Sequence, residues 1–241
     1  VSRHAVKSQA ALGGCRYENL PAARQKNQPG RPPLSVSRQT LRLGSNGAAA
    51  PPQCIETKRE GDTLTIDVEG DSSVTEGLRF DLDDDSLGIG REGNWRQNGV
   101  ATIRVTMPTP TRMSMAGSGT MTVDRLGKGV EAEISIAGSG ESKVGRIDAD
   151  ALEVNVAGSG SLKAAGAAKT LDLSIAGSGD LDMRDVKVDS AEVAIAGSGD
   201  VRLSANGRVS ANIAGSGSAE VVGTTDCQQT RTGSGRLTCS A

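Results

Sequence analysis

The sequence predicts an all-β protein built as a parallel β-solenoid of about seven coils. Three observations carry this prediction: a repeated Gly-Ser-Gly tripeptide, alternating apolar residues on both sides of it, and few aromatic residues. The tripeptide occurs seven times, and Ala precedes six of the copies. Successive copies are 21, 20, 19, 20, 18 and 18 residues apart, which is the length that one solenoid coil requires.

Each tripeptide is expected to form a corner between two strands. Glycine reaches positive φ without steric cost, and it has no Cβ to collide with the same residue in the next coil. The serines should face water as one outward ladder. The predicted corner glycines are Gly117, Gly119, Gly138, Gly140, Gly158, Gly160, Gly177, Gly179, Gly197, Gly199, Gly215, Gly217, Gly233 and Gly235. The predicted serine ladder is Ser118, Ser139, Ser159, Ser178, Ser198, Ser216 and Ser234.

The segments that flank each tripeptide alternate apolar and polar residues, which indicates half-buried strands. Ile134 and Ile136 precede one copy, and Leu181 and Met183 follow another. Each coil should therefore contain a strand, the Gly-Ser-Gly turn, a second strand and a second turn. One coil buries about five aliphatic side chains, too few to offset the ordering of its backbone, so neighbouring coils must support one another.

The composition agrees with a thin coil and divides the chain. There is one Trp, one Tyr and one Phe, and all eight prolines lie at or before Pro110. Residues 1–52 hold eight Lys or Arg and the single acid Glu18, so we expect a disordered basic leader. Residues 53–241 should form the solenoid domain, with irregular N-terminal coils or a cap over 53–110 and regular repeats over 111–241.

The leader gives ambiguous targeting signals. Its basic charge could dock on anionic lipid, cell-wall polymer or nucleic acid, but a leader without a selected partner is favoured, and no nucleic acid is expected. The residues before Cys15 resemble a lipoprotein cleavage box, yet the apolar stretch that such a signal needs is missing. Val1 in place of Met suggests a trimmed or reassigned start. No run is long enough for a transmembrane helix.

The repeats, the segment 87–95 and a last copy framed by two cysteines resemble the bacterial head GIN domain, also called the putative auto-transporter adhesin head domain. The resemblance covers residues 56–241. It implies a secreted or surface-attached β-solenoid of unassigned molecular activity, and it supplies no catalytic residue.

The two cysteines of the last copy, Cys227 and Cys239, lie seven residues before and five residues after Ser234. Both should point inward on opposite limbs of the last coil. In an extracytoplasmic protein they are expected to form a disulfide, and two buried thiols are the alternative. No neighbouring His or Cys completes a metal set. Pairing between Cys15 and Cys54 has no support in the sequence.

The sequence contains only weak motifs for metal binding and for catalysis. Asp81, Asp83, Asp85 and Glu92 have calcium-loop spacing, but the flanks resemble strands, so an acidic hairpin turn is favoured. Calcium-binding β-rolls repeat glycine and aspartate every nine residues, unlike these coils. The only histidine, His4, lies in the leader, which removes Ser-His and Cys-His systems. No cofactor and no metal are expected.

The sequence thus predicts a non-catalytic, extracytoplasmic solenoid that acts in surface attachment or envelope structure, with a cell-surface glycan or protein as the partner. A polysaccharide-active enzyme is the alternative, and a structural spacer is a third. The candidates for carbohydrate cleavage are Asp180, Asp182, Asp200 and Arg202. The residues expected on a flat, mixed-charge outer surface are Lys143, Glu153, Lys163, Asp172, Asp182, Glu192 and Arg202.

Overall fold

The protein is nearly all-β and divides into two compact units. The computed structural model describes residues 36–45, 53–58, 63–83, 86–91 and 99–241. The first unit contains residues 42–107 and the second contains residues 108–241 together with the start of β1 (Val36–Ser45). Cys15 and His4 lie outside the described residues.

The second unit is the solenoid, and its strands pair in parallel with the strands of the neighbouring coils. The strands are β7 (Arg112–Gly117), β8 (Thr120–Gly138), β9 (Glu141–Gly158), β10 (Ser161–Gly177), β11 (Asp180–Gly197), β12 (Asp200–Ala205), β13 (Val209–Gly215), β14 (Ser218–Val222), β15 (Cys227–Gly233) and β16 (Arg236–Ser240). The register places each tripeptide directly on the one before it; Gly177, for example, faces both Gly158 and Gly197. The predicted parallel β-solenoid of about seven coils is confirmed.

The longer coils have three inward runs instead of the two strands that the sequence predicts. In β11 the alternation of buried and exposed residues breaks at Arg184-Asp185 and again at Asp189-Ser190. The three runs of buried residues in this strand are Leu181 and Met183, then Val186 and Val188, then Ala191, Val193 and Ile195. At the first break the pairing with β10 shifts by one residue, from Lys163↔Asp182 to Ala165↔Asp185, and across the second break it stays in register. The strand assignment therefore extends over 18 residues.

The 18-residue coils lack the middle run. β12 follows β11 from Asp180↔Asp200 to Met183↔Leu203, and the register then jumps to Lys187↔Ser204. The buried residues of this coil are Val201, Leu203 and Ala205 in β12 and Val209, Ala211 and Ile213 in β13. Coil length therefore varies in the turn between the two strands of a coil, while the Gly-Ser-Gly corner stays in register.

The first unit pairs its strands antiparallel. Its strands are β2 (Gln53–Lys58), β3 (Thr63–Gly70), β4 (Leu78–Asp83), β5 (Ser86–Arg91) and β6 (Gly99–Pro108), and one helical turn, α1 (Ser72–Thr75), follows β3. β3 pairs with both β2 and β6, and β4 forms a hairpin with β5. These pairings differ from the irregular coils expected over 53–110, because solenoid coils pair in parallel; a cap remains a prediction.

Candidate binding face

The Gly-Ser-Gly corners use their backbone to join the coils. The first glycine of every tripeptide has a φ between 115° and 133°. The N–H of Ser178 donates to the carbonyl of Gly158 at 2.8 Å, and the N–H of Asp180 donates to the carbonyl of Gly160 at 3.3 Å. All seven serines of the predicted ladder are exposed. The corner is thus built from main-chain groups, and it presents only a row of hydroxyls to solvent.

Four carboxylates stack on the outer surface of the strands that precede the corners. They are Glu133, Glu153, Asp172 and Glu192, and each lies in register with the next. Because neighbouring parallel strands lie about 4.8 Å apart, the carboxylates form a continuous line, here called the acid column. Three of them were expected to face outward; the column itself, including Glu133, was not predicted.

The acid column is compensated mainly at one end. The Arg112 Nε lies 2.6 Å from Glu133 Oε2, and the Asn155 amide donates to Glu153 Oε1 at 2.8 Å. Within the described part of the chain, neither Asp172 nor Glu192 forms a salt bridge. Two carboxylates in the middle of the solenoid therefore present their negative charge to solvent.

Two columns of small side chains lie beside the acid column. One column contains Ser114, Ser135, Asn155, Ser174, Ala194, Asn212 and Thr230, and the other contains Ala116, Ala137, Ala157, Ala176, Ala196 and Ala214. Together they form a groove of about 680 Å³ that runs over all seven coils. We call the surface with the acid column and these two columns the ladder face.

A second groove, of about 640 Å³, contains the acid column itself. Arg112 and Arg208 line it together with the four acids. The coils that end in β8, β9 and β10 thus present a carboxylate, a hydroxyl or amide, and a methyl group at the same height, and the coil that ends in β11 has Ala194 in place of the hydroxyl or amide. Such a surface can accept and donate hydrogen bonds at regular intervals above an apolar floor.

The strands that follow the corners present a different surface, on which charges of both signs neutralise one another. Lys143, Lys163, Asp182, Arg202 and Glu220 are in register there, and we call this line the charged column. The outward residues predicted as one surface are therefore divided: Glu153, Asp172 and Glu192 belong to the ladder face, and the other four belong to the charged column.

Asp182 has the strongest partner on the charged column. The Arg184 guanidinium donates to both carboxylate oxygens of Asp182, each at 2.8 Å. These hydrogen bonds lower the pKa of Asp182 from 3.8 to about 2, and the same contact raises the pKa of Arg184. A carboxylate with a pKa near 2 is a poor proton donor at neutral pH.

The other candidates for carbohydrate cleavage are also engaged by neighbours. Arg202 Nη1 lies 3.3 Å from Asp180 Oδ1, and its Nε lies 3.8 Å from Glu220 Oε2. Asp200 accepts a hydrogen bond from the Ser218 hydroxyl. These contacts are typical of a solvated, charge-balanced strand surface, which is the interpretation that the sequence favoured.

The cysteines of the last coil are bonded to each other. Cys227 begins β15, Cys239 lies in β16, and a disulfide joins their sulfur atoms. The predicted disulfide is therefore confirmed. Cys54 lies in β2, but its side chain is outside the described structure.

The calcium-loop candidates divide between described and undescribed residues. Asp81 faces Gly88 and Asp83 faces Ser86 across the β4–β5 hairpin, whereas Asp85 and Glu92 lie outside the described residues. Over the described ranges, no group of three or more His, Cys, Asp or Glu side chains has the geometry of a metal site. Helices long and apolar enough to cross a membrane are likewise not found in these ranges.

The sequence did contain a signal for the acid column. Each of its four acids stands five residues before the first glycine of a tripeptide. At the same offset the remaining coils carry Arg112, Ser210 and Gln228. Aligning the coils on the tripeptide would have revealed the stack, whereas reading each strand alone shows only alternation.

Comparisons with known proteins give a family match and solved structures of similar fold. The sequence profile of the putative auto-transporter adhesin, head GIN domain family matches residues 56–225. No curated protein matches the chain. Three crystal structures have a similar fold, and all are below 25% identical to this chain, so they show the fold alone.

One is a putative lipid binding protein from Parabacteroides distasonis, 22% identical, with a TM-score of 0.57, covering 74% of this chain and 85% of that one. Another is a putative adhesin from Parabacteroides merdae, 20% identical, with a TM-score of 0.57, covering 83% of this chain and 99% of that one. A third, a putative adhesin from Bacteroides fragilis, is 19% identical, with a TM-score of 0.60, and the alignment covers 74% of this chain and 83% of that one. On the profile match and the coiled fold together, the chain belongs to the putative auto-transporter adhesin, head GIN domain family.

Proposed function

We propose that this chain is a non-catalytic, extracytoplasmic binding protein whose ladder face holds an extended polymer of the cell surface. One observation carries the proposal: the acid column and the two small-residue columns repeat in register from coil to coil. A surface that repeats at a constant interval suits a ligand that also repeats, since each coil can contribute one weak contact of the same kind.

A glycan is the polymer class that the ladder face fits best. Carboxylates, hydroxyls and amides are good partners for sugar hydroxyls, and the column of alanine methyls offers an apolar floor. The groove is long and shallow, so it would hold a chain along its length better than it would enclose a small molecule. A basic extended peptide could also satisfy the acid column, which makes it the competing ligand in the test below.

Two findings support an extracytoplasmic location. The Cys227–Cys239 disulfide is the kind of bond that persists in oxidising compartments. The family and two of the structural neighbours carry adhesin names, and a third neighbour is named a lipid binding protein. The adhesin names concern attachment at surfaces, the name of the third neighbour gives lipid as its ligand, and none of the names gives a glycan.

The enzyme alternative is less favoured because the cleavage candidates are already paired. The carboxylates of Asp180 and Asp182 face arginines, and Asp200 faces a hydroxyl. Glycoside hydrolysis requires one carboxylic acid with a raised pKa beside a carboxylate, whereas the pKa of Asp182 is lowered. A spacer without any ligand remains the other alternative.

The proposal is tested with a glycan array and a set of basic peptides, comparing the wild type with two double variants. Asp172→Asn with Glu192→Gln removes the two acids of the column that have, among the described residues, neither a salt bridge nor a side-chain hydrogen bond. Asp180→Asn with Asp200→Asn changes two acids on the other surface and serves as the control. We expect the first variant to lose about tenfold in glycan affinity, equivalent to about 1.4 kcal/mol, and the control to bind as the wild type does.

The outcomes separate the alternatives. Equal binding by the wild type and the ladder-face variant would rule out the ladder face as the binding surface. Binding of basic peptides without any glycan would replace the glycan with a protein partner. Release of reducing sugar from a bound polysaccharide, lost in the control variant, would favour the enzyme.

A further inference from the structure

The last coil breaks the pattern of inward residues that every other coil follows. β15 pairs with β13 in register, so that Gln229 stands opposite Ala211 and Arg231 stands opposite Ile213. Ala211 and Ile213 are buried apolar residues, as are their counterparts in the preceding coils. The positions that should carry a methyl group and an isoleucine thus carry an amide and a guanidinium.

These two polar side chains lie across the end of the solenoid. The Gln229 amide donates to the carbonyl oxygen of Gly235 at 3.5 Å, and Arg231 Nη1 donates to the same oxygen at 3.4 Å. Gly235 in turn packs against Ile213, because a Cβ placed on Gly235 would lie 2.2 Å from Ile213 Cγ2. Gln229 and Arg231 are thus exposed side chains that share one acceptor beside the last apolar layer.

The disulfide closes the other side of the same end. Cys227 and Cys239 are half-buried, pack against the hydrophobic core and join β15 to β16. Within the described residues, β15 pairs only with β13 and β16 pairs only with β14. The outer edges of both strands therefore carry main-chain N–H and C=O groups that could pair with another strand.

An unpaired strand edge beside an apolar layer would allow a strand of another molecule to pair with it. Edge strands are held apart in natural proteins by charged side chains that point inward, since a pairing strand would have to bury them. Arg231 has this position and this charge, and its burial under a second layer would remove it from water. Gln229 would lose water in the same way.

We propose that the last coil is an end cap that prevents the solenoid from pairing end to end with a second copy of the chain, and that Gln229 and Arg231 provide this block. The partner that the end would otherwise accept is the same end of another copy. Two identical ends that meet form an isologous contact, which closes at a dimer instead of growing into a fibre.

The test restores the residues of the preceding coil. Gln229→Ala with Arg231→Ile copies Ala211 and Ile213, so the variant should pack at least as well as β13 does. The matched control is Gln228→Ala with Thr230→Ile, which places the same two side chains at outward positions of the same strand. Both variants are compared with the wild type by light scattering over a series of concentrations and by hydrogen exchange.

We expect the inward variant to dimerise at a concentration at least about tenfold lower than the control variant or the wild type. Slower amide exchange in β15 and β16 at high concentration would place the new contact at this end. If the inward variant stays folded and associates no more than the control does, the proposal is wrong.

Equal association of both variants would also overturn it, because added apolar surface alone would then be sufficient. Should the double variant fail to fold, the single substitutions Gln229→Ala and Arg231→Leu are measured in the same way. If Arg231→Leu folds, it should associate more strongly than Thr230→Ile. Equal association of these two variants would mean that the guanidinium does not provide the block.

Discussion

Gly177 lies directly over Gly158 of the preceding coil, and a Cβ placed on Gly177 would come within 2.2 Å of the Gly158 carbonyl oxygen. That oxygen already accepts the N–H of Ser178 at 2.8 Å. The contact leaves no room for a side chain without breaking the hydrogen bond that joins the two coils. The same close approach recurs at later corners, which makes the corner the most constrained part of each coil.

Gly177→Ala should be among the most destabilising single changes in the solenoid. The φ of Gly177 is +131°, so alanine incurs about 1 to 3 kcal/mol of backbone strain. The clash with Gly158 adds about 1 to 3 kcal/mol. Ser178→Ala should change the free energy of unfolding by less than about 0.5 kcal/mol, because the hydroxyl faces water. Urea denaturation of the three proteins gives both values.

The variant Gly117→Ala separates the backbone strain from the steric clash as causes of destabilisation. Gly117 has a φ of +118°, but a Cβ there would meet nothing within 4 Å. This variant should show the backbone strain without the clash, and so lie between Ser178→Ala and Gly177→Ala in stability. Equal losses at Gly117 and Gly177 would mean that the contact between the coils contributes nothing.

Removal of the disulfide should loosen the last coil before the rest of the solenoid. The bond closes a loop between residues 12 apart in sequence, which the loop-entropy model values at about 3 kcal/mol. In the double variant Cys227→Ala with Cys239→Ala, the amide hydrogens of β15 and β16 should exchange faster than in the wild type, with little change in β9–β11.

Alkylation of the non-reduced wild type should label neither Cys227 nor Cys239. Labelling of both thiols would contradict the disulfide.

The Asp182–Arg184 pair should make a small, pH-dependent contribution to stability. The pKa of Asp182 is lowered on folding, so its contribution is present above the unfolded value near 3.8 and is lost as the pH falls toward 2. Both side chains are partly exposed to solvent, which screens their charges and keeps the contribution small. Arg184→Gln should therefore reduce stability at pH 6 but not at pH 2, as measured by urea denaturation. A loss of equal size at both pH values would assign the effect to packing.

The corners could be predicted from the sequence because one local feature determines them. Glycine at a fixed spacing implies both a positive φ and close stacking, and Gly177 shows both. The disulfide was predictable for a related reason: Cys227 and Cys239 have fixed offsets from the last tripeptide. Each inference required only a position within one coil.

The third inward run and the polar end could not be predicted in that way. The break at Arg184-Asp185 looks in sequence like two outward residues, because only the pairing with β10 shows that the strand resumes after it with a shift of one residue. Gln229 and Arg231 look like ordinary surface residues until the register with β13 places them at inward positions. Both features depend on which residues of neighbouring coils face each other.

Deletion of one whole coil tests whether ligand binding is distributed along the ladder face. Removal of residues 178–197 joins Gly177 to Ser198 and restores a Gly-Ser-Gly corner, because Gly177 and Gly197 occupy the same place in successive coils. The shortened protein should keep its β-sheet circular dichroism and a cooperative melt, whereas removal of only residues 178–187 should unfold it by breaking the register. If each coil contributes about 1.4 kcal/mol to glycan binding, affinity should fall about tenfold with the loss of one coil. Unchanged affinity in the folded, shortened protein would mean that the ligand occupies a local site elsewhere on the chain.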